Sequence, residues 1–117
     1  MPKKLYEKIE DDLIKFGKRV VNECEPLSLE SYRNEPTLTH YNGWGKRIDE
    51  IKVHPSWMKL HDIVAEEGII SFGYSQKIRK EFGIYSRLYQ LSKLYLFNPS
   101  SAFVSCPVSI YIHIKVR

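Results

Sequence analysis

Residues 84–97 constrain the fold of this chain most strongly, because their apolar side chains recur at helical spacing and cover more than half of the helix circumference. One face consists of Ile84, Leu88, Leu91 and Tyr95, and the residues that widen it are Tyr85, Tyr89, Leu96 and Phe97. A helix with so wide an apolar surface is usually buried on several sides. The chain has only 117 residues, enough for one domain. The sequence therefore predicts a helix that lacks a packing partner on part of its surface.

The remaining periodicity is also mostly helical. Residues 5–21 carry one apolar stripe at steps of four and three, formed by Leu5, Ile9, Leu13, Phe16 and Val20. A second helix is expected to begin at Pro55, whose missing N–H is tolerated in a first turn, and to end at Gly68. One or two further helical turns at 76–82 are expected to end at Gly83. These patterns predict an all-α fold, a small bundle of helices with long loops.

The connections are expected to be irregular. Pro26 should end the first helix near Cys24, because the residue before a proline disfavours the helical region. Residues 25–45 are then predicted as a loop with a short helical turn around 27–32, and residues 51–54 as at most a short extended segment.

The last part of the chain changes its pattern. Residues 98–100 break the apolar helix, and a short helix through 102–104 is expected to kink or stop at Pro107. From residue 110 onward isoleucine and valine alternate with polar or aromatic residues, a period of two typical of a strand. We therefore predict a helical domain at 1–109 and an irregular or strand-like tail at 110–117.

Composition places few limits on function. The net charge of +4 permits an anionic partner without requiring one. Two cysteines, Cys24 and Cys106, are typical of reduced thiols in an intracellular protein. The amino terminus has no apolar signal segment, and no stretch approaches the ~20 apolar residues of a membrane span. We expect a soluble intracellular protein with no membrane partner, and leave cytoplasmic and mitochondrial locations open.

The residues that carry chemistry form no recognisable catalytic or metal motif. The four histidines, His40, His54, His61 and His113, do not have zinc-ligand spacing. Cys106 has no activating base nearby in sequence, which favours a buried structural thiol over a nucleophile. The glycines at 43 and 45 lack the spacing of a phosphate-binding loop. The residues therefore predict no catalytic, metal-binding or cofactor-binding site.

The densest positive stretch has two interpretations. It comprises Lys77, Arg79 and Lys80, with Arg87 and Lys93 nearby. Interleaved aromatic residues make a weak nucleic-acid surface one interpretation. A solvated helix face above core aromatics is the favoured one, so nucleic acid is not the expected partner.

Two motifs carry a family resemblance. The first is Leu38-Thr39-His40-Tyr41-Asn42-Gly43-Trp44-Gly45-Lys46-Arg47-Ile48-Asp49-Glu50-Ile51, followed by His54-Pro55-Ser56-Trp57. The second is Leu96-Phe97-Asn98-Pro99-Ser100-Ser101-Ala102-Phe103-Val104-Ser105-Cys106-Pro107-Val108-Ser109. Together they resemble the acyl-CoA dehydrogenase superfamily and, within it, the AidB-type adaptive-response branch. The likeness runs from Arg33 to Ser109.

This resemblance implies the amino-terminal helical domain of an FAD oxidoreductase that acts on the CH–CH group of an acyl-CoA. In such enzymes the later domains hold FAD and supply the catalytic base, so we expect FAD and acyl-CoA to belong to the parent protein. The enzyme status of this chain stays open, and we expect no catalysis or flavin binding by it alone. The resemblance also implies that Phe103, Val104 and Cys106 are candidates for an acyl-chain pocket, with core packing as the alternative.

Residues 110–117 depart from the family pattern, which suggests a truncated product with a non-homologous tail. The alternative function is a helical interaction module that self-associates through the exposed apolar helix, or a weak nucleic-acid-binding fragment.

Overall fold

A computed structural model describes residues 1–114, with side chains up to residue 110. Its α-helices and β-strands are α1 (Lys3–Arg19), α2 (Glu25–Arg33), β1 (Thr37–Tyr41), β2 (Arg47–Lys52), α3 (Pro55–Glu66), α4 (Gln76–Phe82), α5 (Ser86–Phe97) and α6 (Ser105–Ile114). The predicted all-α class is confirmed, with one small antiparallel sheet added. Among the described residues, no helix is long and apolar enough to cross a membrane.

The stripe predicted on the first helix is confirmed. Ile9, Phe16 and Val20 are buried, and Leu5 and Leu13 are partly buried against a small cluster around Phe82 and Tyr89. α1 therefore packs its apolar face along α5 and leaves its charged face in solvent.

The prediction that the chain becomes a loop after Cys24 is wrong. Val20–Cys24 form a π-helical segment in which the Glu25 N–H donates to the Val20 carbonyl, five residues back. α2 follows directly, with Pro26 in its first turn. The wider π turn, placed immediately before the proline, changes the hydrogen-bond spacing at the point where Pro26 supplies no donor. The backbone consequently stays helical through Arg33.

Residues 37–52 form a hairpin, so the prediction of a loop through residue 45 with at most a short extended segment at 51–54 is wrong here. Thr37 pairs with Lys52 and Leu38 pairs with Ile51. Asn42 stabilises the turn, because its side-chain oxygen accepts from the N–H of Trp44 at 2.9 Å and of Lys46 at 3.0 Å. The hairpin is largely exposed on both faces.

The boundaries of α3 and α4 are confirmed. Pro55 occupies the first turn of α3, and Gly68, at φ 65°, follows its end. Gly83 ends α4 at φ 53°. Both glycines adopt left-handed backbone conformations that favour glycine.

The main core lies where α1, α3, the end of α5 and the start of α6 meet. Its most deeply buried members are Phe16, Cys24, Leu60, Ile69, Phe97 and Val104. A second cluster of Ile9, Phe82 and Tyr89 joins α1, α4 and α5.

The prediction of a strand-like tail is wrong for residues 110–114, which are helical. The helical backbone is interrupted earlier, at Ala102 and Phe103, and α6 then begins with Pro107 in its first turn. Val104 and Val108 are both buried, so the start of α6 is fixed by core packing at helical spacing. Tertiary packing of this first turn outweighs the alternating pattern that follows. Residues 115–117, also assigned to the tail, lie outside the described part of the chain.

Candidate functional site

The helix α5 presents two different faces. Tyr89, Gln90, Lys93 and Phe97 are buried. The predicted apolar stripe of Ile84, Leu88, Leu91 and Tyr95 is exposed instead, and we call it the α5 stripe. A shallow groove of about 630 Å³ runs between α1 and this stripe, and its lining is almost wholly apolar.

A second depression, which we call the Trp57 cleft, lies among α2, the end of β2, the start of α3 and the break before α6. Its volume is about 560 Å³. It is lined by Ser31, Tyr32, Asn34, Glu35, Pro36, Ile51, Val53, His54, Trp57, Ala102 and Phe103. Aromatic and aliphatic side chains with a few polar groups are the usual lining of a small-molecule site.

The wall of the cleft at the α6 end has an unusual backbone. Ala102 and Phe103 adopt φ angles of 45° and 68°, in a region that non-glycine residues rarely occupy. The Trp57 indole N–H donates to the Ala102 carbonyl oxygen at 3.1 Å. The Phe103 ring meets the Tyr32 ring edge to face, with ring centroids 5.9 Å apart. Two aromatic contacts thus hold this turn from the side of the cleft.

The three acyl-pocket candidates lie in different environments. Phe103 is exposed and lines the Trp57 cleft. Val104 is completely buried in the main core. Cys106 is exposed and is not among the residues that line the cleft. The expectation that Cys106 is a buried thiol is therefore wrong, because the left-handed turn before it directs its neighbour Val104 into the core instead. Their roles in an acyl pocket stay predictions.

His54, Ser56 and Ser31 form a capping network at the polar end of the cleft. His54 Nδ1 accepts from the Ser56 N–H at 3.2 Å and lies 2.7 Å from Ser56 Oγ, which is 2.8 Å from Ser31 Oγ. A serine beside a histidine can be a nucleophile and its base. Here Ser56 is buried, and its backbone and side chain both engage the cap of α3, so the arrangement stabilises a helix start.

Sequence reasoning did not find a buried ion cluster centred on Lys93. Its side chain is 2% exposed, with Nζ 2.9 Å from Asp12 and 3.0 Å from Glu67. The same ammonium group lies within 5.8 Å of the ring centroids of Phe16, Phe72 and Tyr89. The prediction that Lys93 contributes to an exposed positive stretch is wrong, since carboxylates and aromatic faces enclose it. The exposed cations of that stretch are Lys77, Arg79 and Lys80.

The acidic residues of this cluster form further hydrogen bonds and ion pairs besides those to Lys93. Burial acts to raise the pKa of Asp12, but hydrogen bonds from Tyr89 and Lys93 outweigh it and hold that pKa below its ordinary value. Burial and the neighbouring Asp12 carboxylate raise the pKa of Tyr89. Glu67 also accepts from Arg19 at 2.8 Å. The cluster joins α1, α5 and the segment after α3, and its charged groups pair with one another.

The depressions described above can be compared with what a flavin or a metal ion would need. No Lys or Arg lines either depression or the third one beside His61, so the two phosphates of FAD would have no cation there. In the part of the chain that the structure describes, no three His, Cys, Asp or Glu residues are grouped to hold a metal ion. The mostly apolar walls of the cleft suit an aliphatic ligand better than the charged phosphates of FAD.

Comparison with known proteins identifies the family. Residues 3–112 match the family model described as the adaptive response protein AidB N-terminal domain. The chain belongs to this family. A relative from Caenorhabditis elegans, acyl-CoA dehydrogenase family member 11, is 40% identical over 110 residues, which are 94% of this chain and 17% of the relative. The chain thus spans about a sixth of the length of that protein.

Two solved structures have the same fold. The crystal structure of Caenorhabditis elegans ACDH-11 in complex with C11-CoA has a TM-score of 0.85 and 41% identity, over 92% of this chain and 18% of that one. The apo-form of Bd2924 has a TM-score of 0.80 and 36% identity, over 92% of this chain and 20% of that one. The resemblance to the amino-terminal domain of acyl-CoA dehydrogenase-like proteins is confirmed.

Proposed function

We propose that this chain serves as the amino-terminal helical domain of an acyl-CoA dehydrogenase-like flavoprotein and does not catalyse a reaction by itself. The observation that carries the proposal is the match to ACDH-11, which includes nearly the whole chain but only 18% of that protein. The proposal places the flavin in the remaining four-fifths of such a protein, and the absence of lysine and arginine from the lining of the depressions described above supports it.

The proposed reaction of the complete protein removes hydrogen from the CH–CH group of an acyl-CoA. FAD, held by the later domains, supplies the redox chemistry when it is bound. The proposed role of this chain is to shape the acyl-chain pocket and to exclude water from it. Phe103 supplies a wall of the Trp57 cleft, while Val104, behind it, keeps the turn packed on the core. Cys106 is exposed near the start of α6, and its role in the acyl pocket is part of the proposal.

A chimera tests this proposal. Residues 3–112 would replace the matching segment of the Caenorhabditis elegans relative, and the purified chimera would be measured for flavin absorbance and for reduction of an electron acceptor with C11-CoA. We expect a yellow protein that turns over. The isolated chain should be colourless and inactive in the same assay.

The control is the same relative with its amino-terminal segment deleted, which should lose turnover. A chimera that folds and binds flavin but does not turn over would contradict the proposal. Flavin binding or turnover by the isolated chain would contradict the statement that it is not catalytic by itself.

A further inference from the structure

We infer that Trp57 is a positioning residue for acyl-chain binding: its indole N–H holds the Ala102 carbonyl, and so keeps the Phe103 ring as a fixed wall of the Trp57 cleft. The inference rests on the proposed function, because it assumes that the cleft receives the acyl chain. It assigns to Trp57 a role that acts through another residue.

The backbone at Ala102 and Phe103 needs an external restraint. Two successive non-glycine residues at positive φ are energetically unfavourable, and such conformations persist only where the surroundings impose them. Ala102 is buried, and its carbonyl accepts from Trp57 across the cleft from a distant part of the chain. The restraint therefore comes from α3 and acts on the turn before α6.

The exposed state of Phe103 shows what the strained turn achieves. Its side chain is 73% exposed, although burying a phenylalanine side chain is usually favourable. The left-handed backbone directs this ring away from the core, while its neighbours Ala102 and Val104 are buried. Tyr32 supports the ring on one side and leaves its remaining surface open toward the cleft.

The cleft fits an aliphatic chain. Its volume of about 560 Å³ lies within the roughly 300–1,000 Å³ of small-molecule sites. Ile51, Val53 and Pro36 line the cleft together with Phe103, and no lysine or arginine does. A structural relative with 41% identity was solved with C11-CoA, an acyl thioester. An acyl chain, and not the phosphate-bearing part of coenzyme A, is the portion that this lining would accept.

The two tryptophans of the chain allow a direct test. Trp44 lies at the hairpin tip with 95% of its surface exposed, so Trp44→Phe removes the second fluorophore without touching the cleft. In this variant, C11-CoA should shift or quench the emission of Trp57, and coenzyme A alone should not. The matched variant is Trp57→Phe, which retains Trp44. Its binding of C11-CoA is measured by calorimetry, and its fluorescence should not change when C11-CoA is added.

A double-mutant cycle separates positioning from direct contact. Phe103→Ala should weaken C11-CoA binding, and Trp57→Phe should weaken it by about threefold to tenfold, the size of one hydrogen bond. If Trp57 acts through Phe103, Trp57→Phe should have no further effect in a chain that already carries Phe103→Ala. An equal loss in both backgrounds would overturn the inference while leaving an acyl pocket, and hence the proposed function, intact.

A measurement on the Trp44→Phe chain does not depend on folding of the Trp57 variant. In the Trp44→Phe chain the single indole N–H is that of Trp57. It should exchange slowly with solvent if it is hydrogen-bonded to the Ala102 carbonyl, and fast exchange would overturn the inference. If the chain binds no C11-CoA, the acyl-pocket part of the proposed function fails, and the role of Trp57 fails with it. The chimera result is independent of both.

Discussion

At the scale of single residues, the most consequential feature is the buried ammonium group of Lys93. Lys93 Nζ lies 2.9 Å from an Asp12 carboxylate oxygen, 3.0 Å from a Glu67 carboxylate oxygen and 3.3 Å from the Glu67 carbonyl oxygen. It also packs against aromatic faces. Burying a cation without partners is very unfavourable, so the carboxylates of Asp12 and Glu67 are what make the burial of Lys93 possible. Lys93 therefore links α1 and the segment after α3 to α5.

Lys93→Met should lower the free energy of unfolding by about 3 kcal/mol, because methionine keeps the volume but leaves two carboxylates without their shared cation. Chemical denaturation followed by circular dichroism measures this loss. Lys77→Met, at an exposed position of α4, is the matched control and should change stability by less than about 0.5 kcal/mol. Equal effects of the two substitutions would contradict a structural role for the cluster.

The cluster also predicts how stability depends on pH. The pKa of Asp12 is held below its ordinary value of 3.8 by Tyr89 and Lys93, against the opposing effect of burial. A carboxyl with a depressed pKa in the folded state stabilises the fold above its unfolded pKa, and this contribution is lost as the pH falls through the folded value. Stability should therefore decrease below about pH 4, which thermal unfolding across pH 2–6 would measure.

Asp12→Asn removes this titration and should flatten the pH dependence in that range. Asp11→Asn, one position away on the exposed side of α1, is the control and should leave the acid dependence in place. If Asp12→Asn retains the full acid dependence, another carboxyl is responsible.

At the scale of elements, the break between α5 and α6 is the feature that most affects the cleft. Ala102→Gly should raise the free energy of unfolding by up to about 1 kcal/mol, because glycine adopts a φ of 45° without the strain that alanine carries there. The loss of one buried methyl group opposes part of this gain. Denaturant unfolding at fixed pH gives the difference.

Ala65→Gly is the matched control, because the same substitution in the regular helix α3 should destabilise the fold by about 1 kcal/mol. Opposite signs at the two positions would establish the strain. A loss at both would show that Ala102 is held without strain.

Elements with regular periodicity could be predicted from the sequence, and those decided by distant contacts could not. Pro55, Gly68 and Gly83 mark helix ends by local chemistry, so these boundaries agree with the structure. The hairpin was missed because its strands are exposed on both faces and show no buried alternation. Residues 110–114 alternate like a strand, yet they continue a helix whose first turn is anchored by Val104 and Val108.

The candidate site was only partly predictable for the same reason. The family resemblance led to Phe103, but the left-handed turn that exposes it depends on Trp57, which is distant in sequence. A lysine in an apolar helix carries no local sign of burial, so the sequence places Lys93 in a surface patch. Its partners come from α1 and the end of α3, and contacts between elements leave no periodic pattern in the sequence.

At the scale of the whole molecule, the described chain is elongated. Its radius of gyration is 17.7 Å, whereas a compact domain of this length has about 13 Å. The extents of 64 × 34 × 17 Å describe a flat body with much of its surface accessible. The α5 stripe and the exposed hairpin lie on that surface, so apolar area is available for association.

We expect the isolated chain to self-associate through the α5 stripe as its concentration rises, because the groove of about 630 Å³ beside the stripe is almost wholly apolar. Leu88→Glu places a charge in the middle of the stripe and should shift the association to at least about tenfold higher concentration, the effect of roughly 1.4 kcal/mol. Sedimentation equilibrium measures the mass. Met58→Glu adds the same charge at an equally exposed apolar position of α3 and should leave association unchanged. A chain that stays monomeric throughout, or one that Met58→Glu also dissociates, would show that the α5 stripe is not a self-association surface.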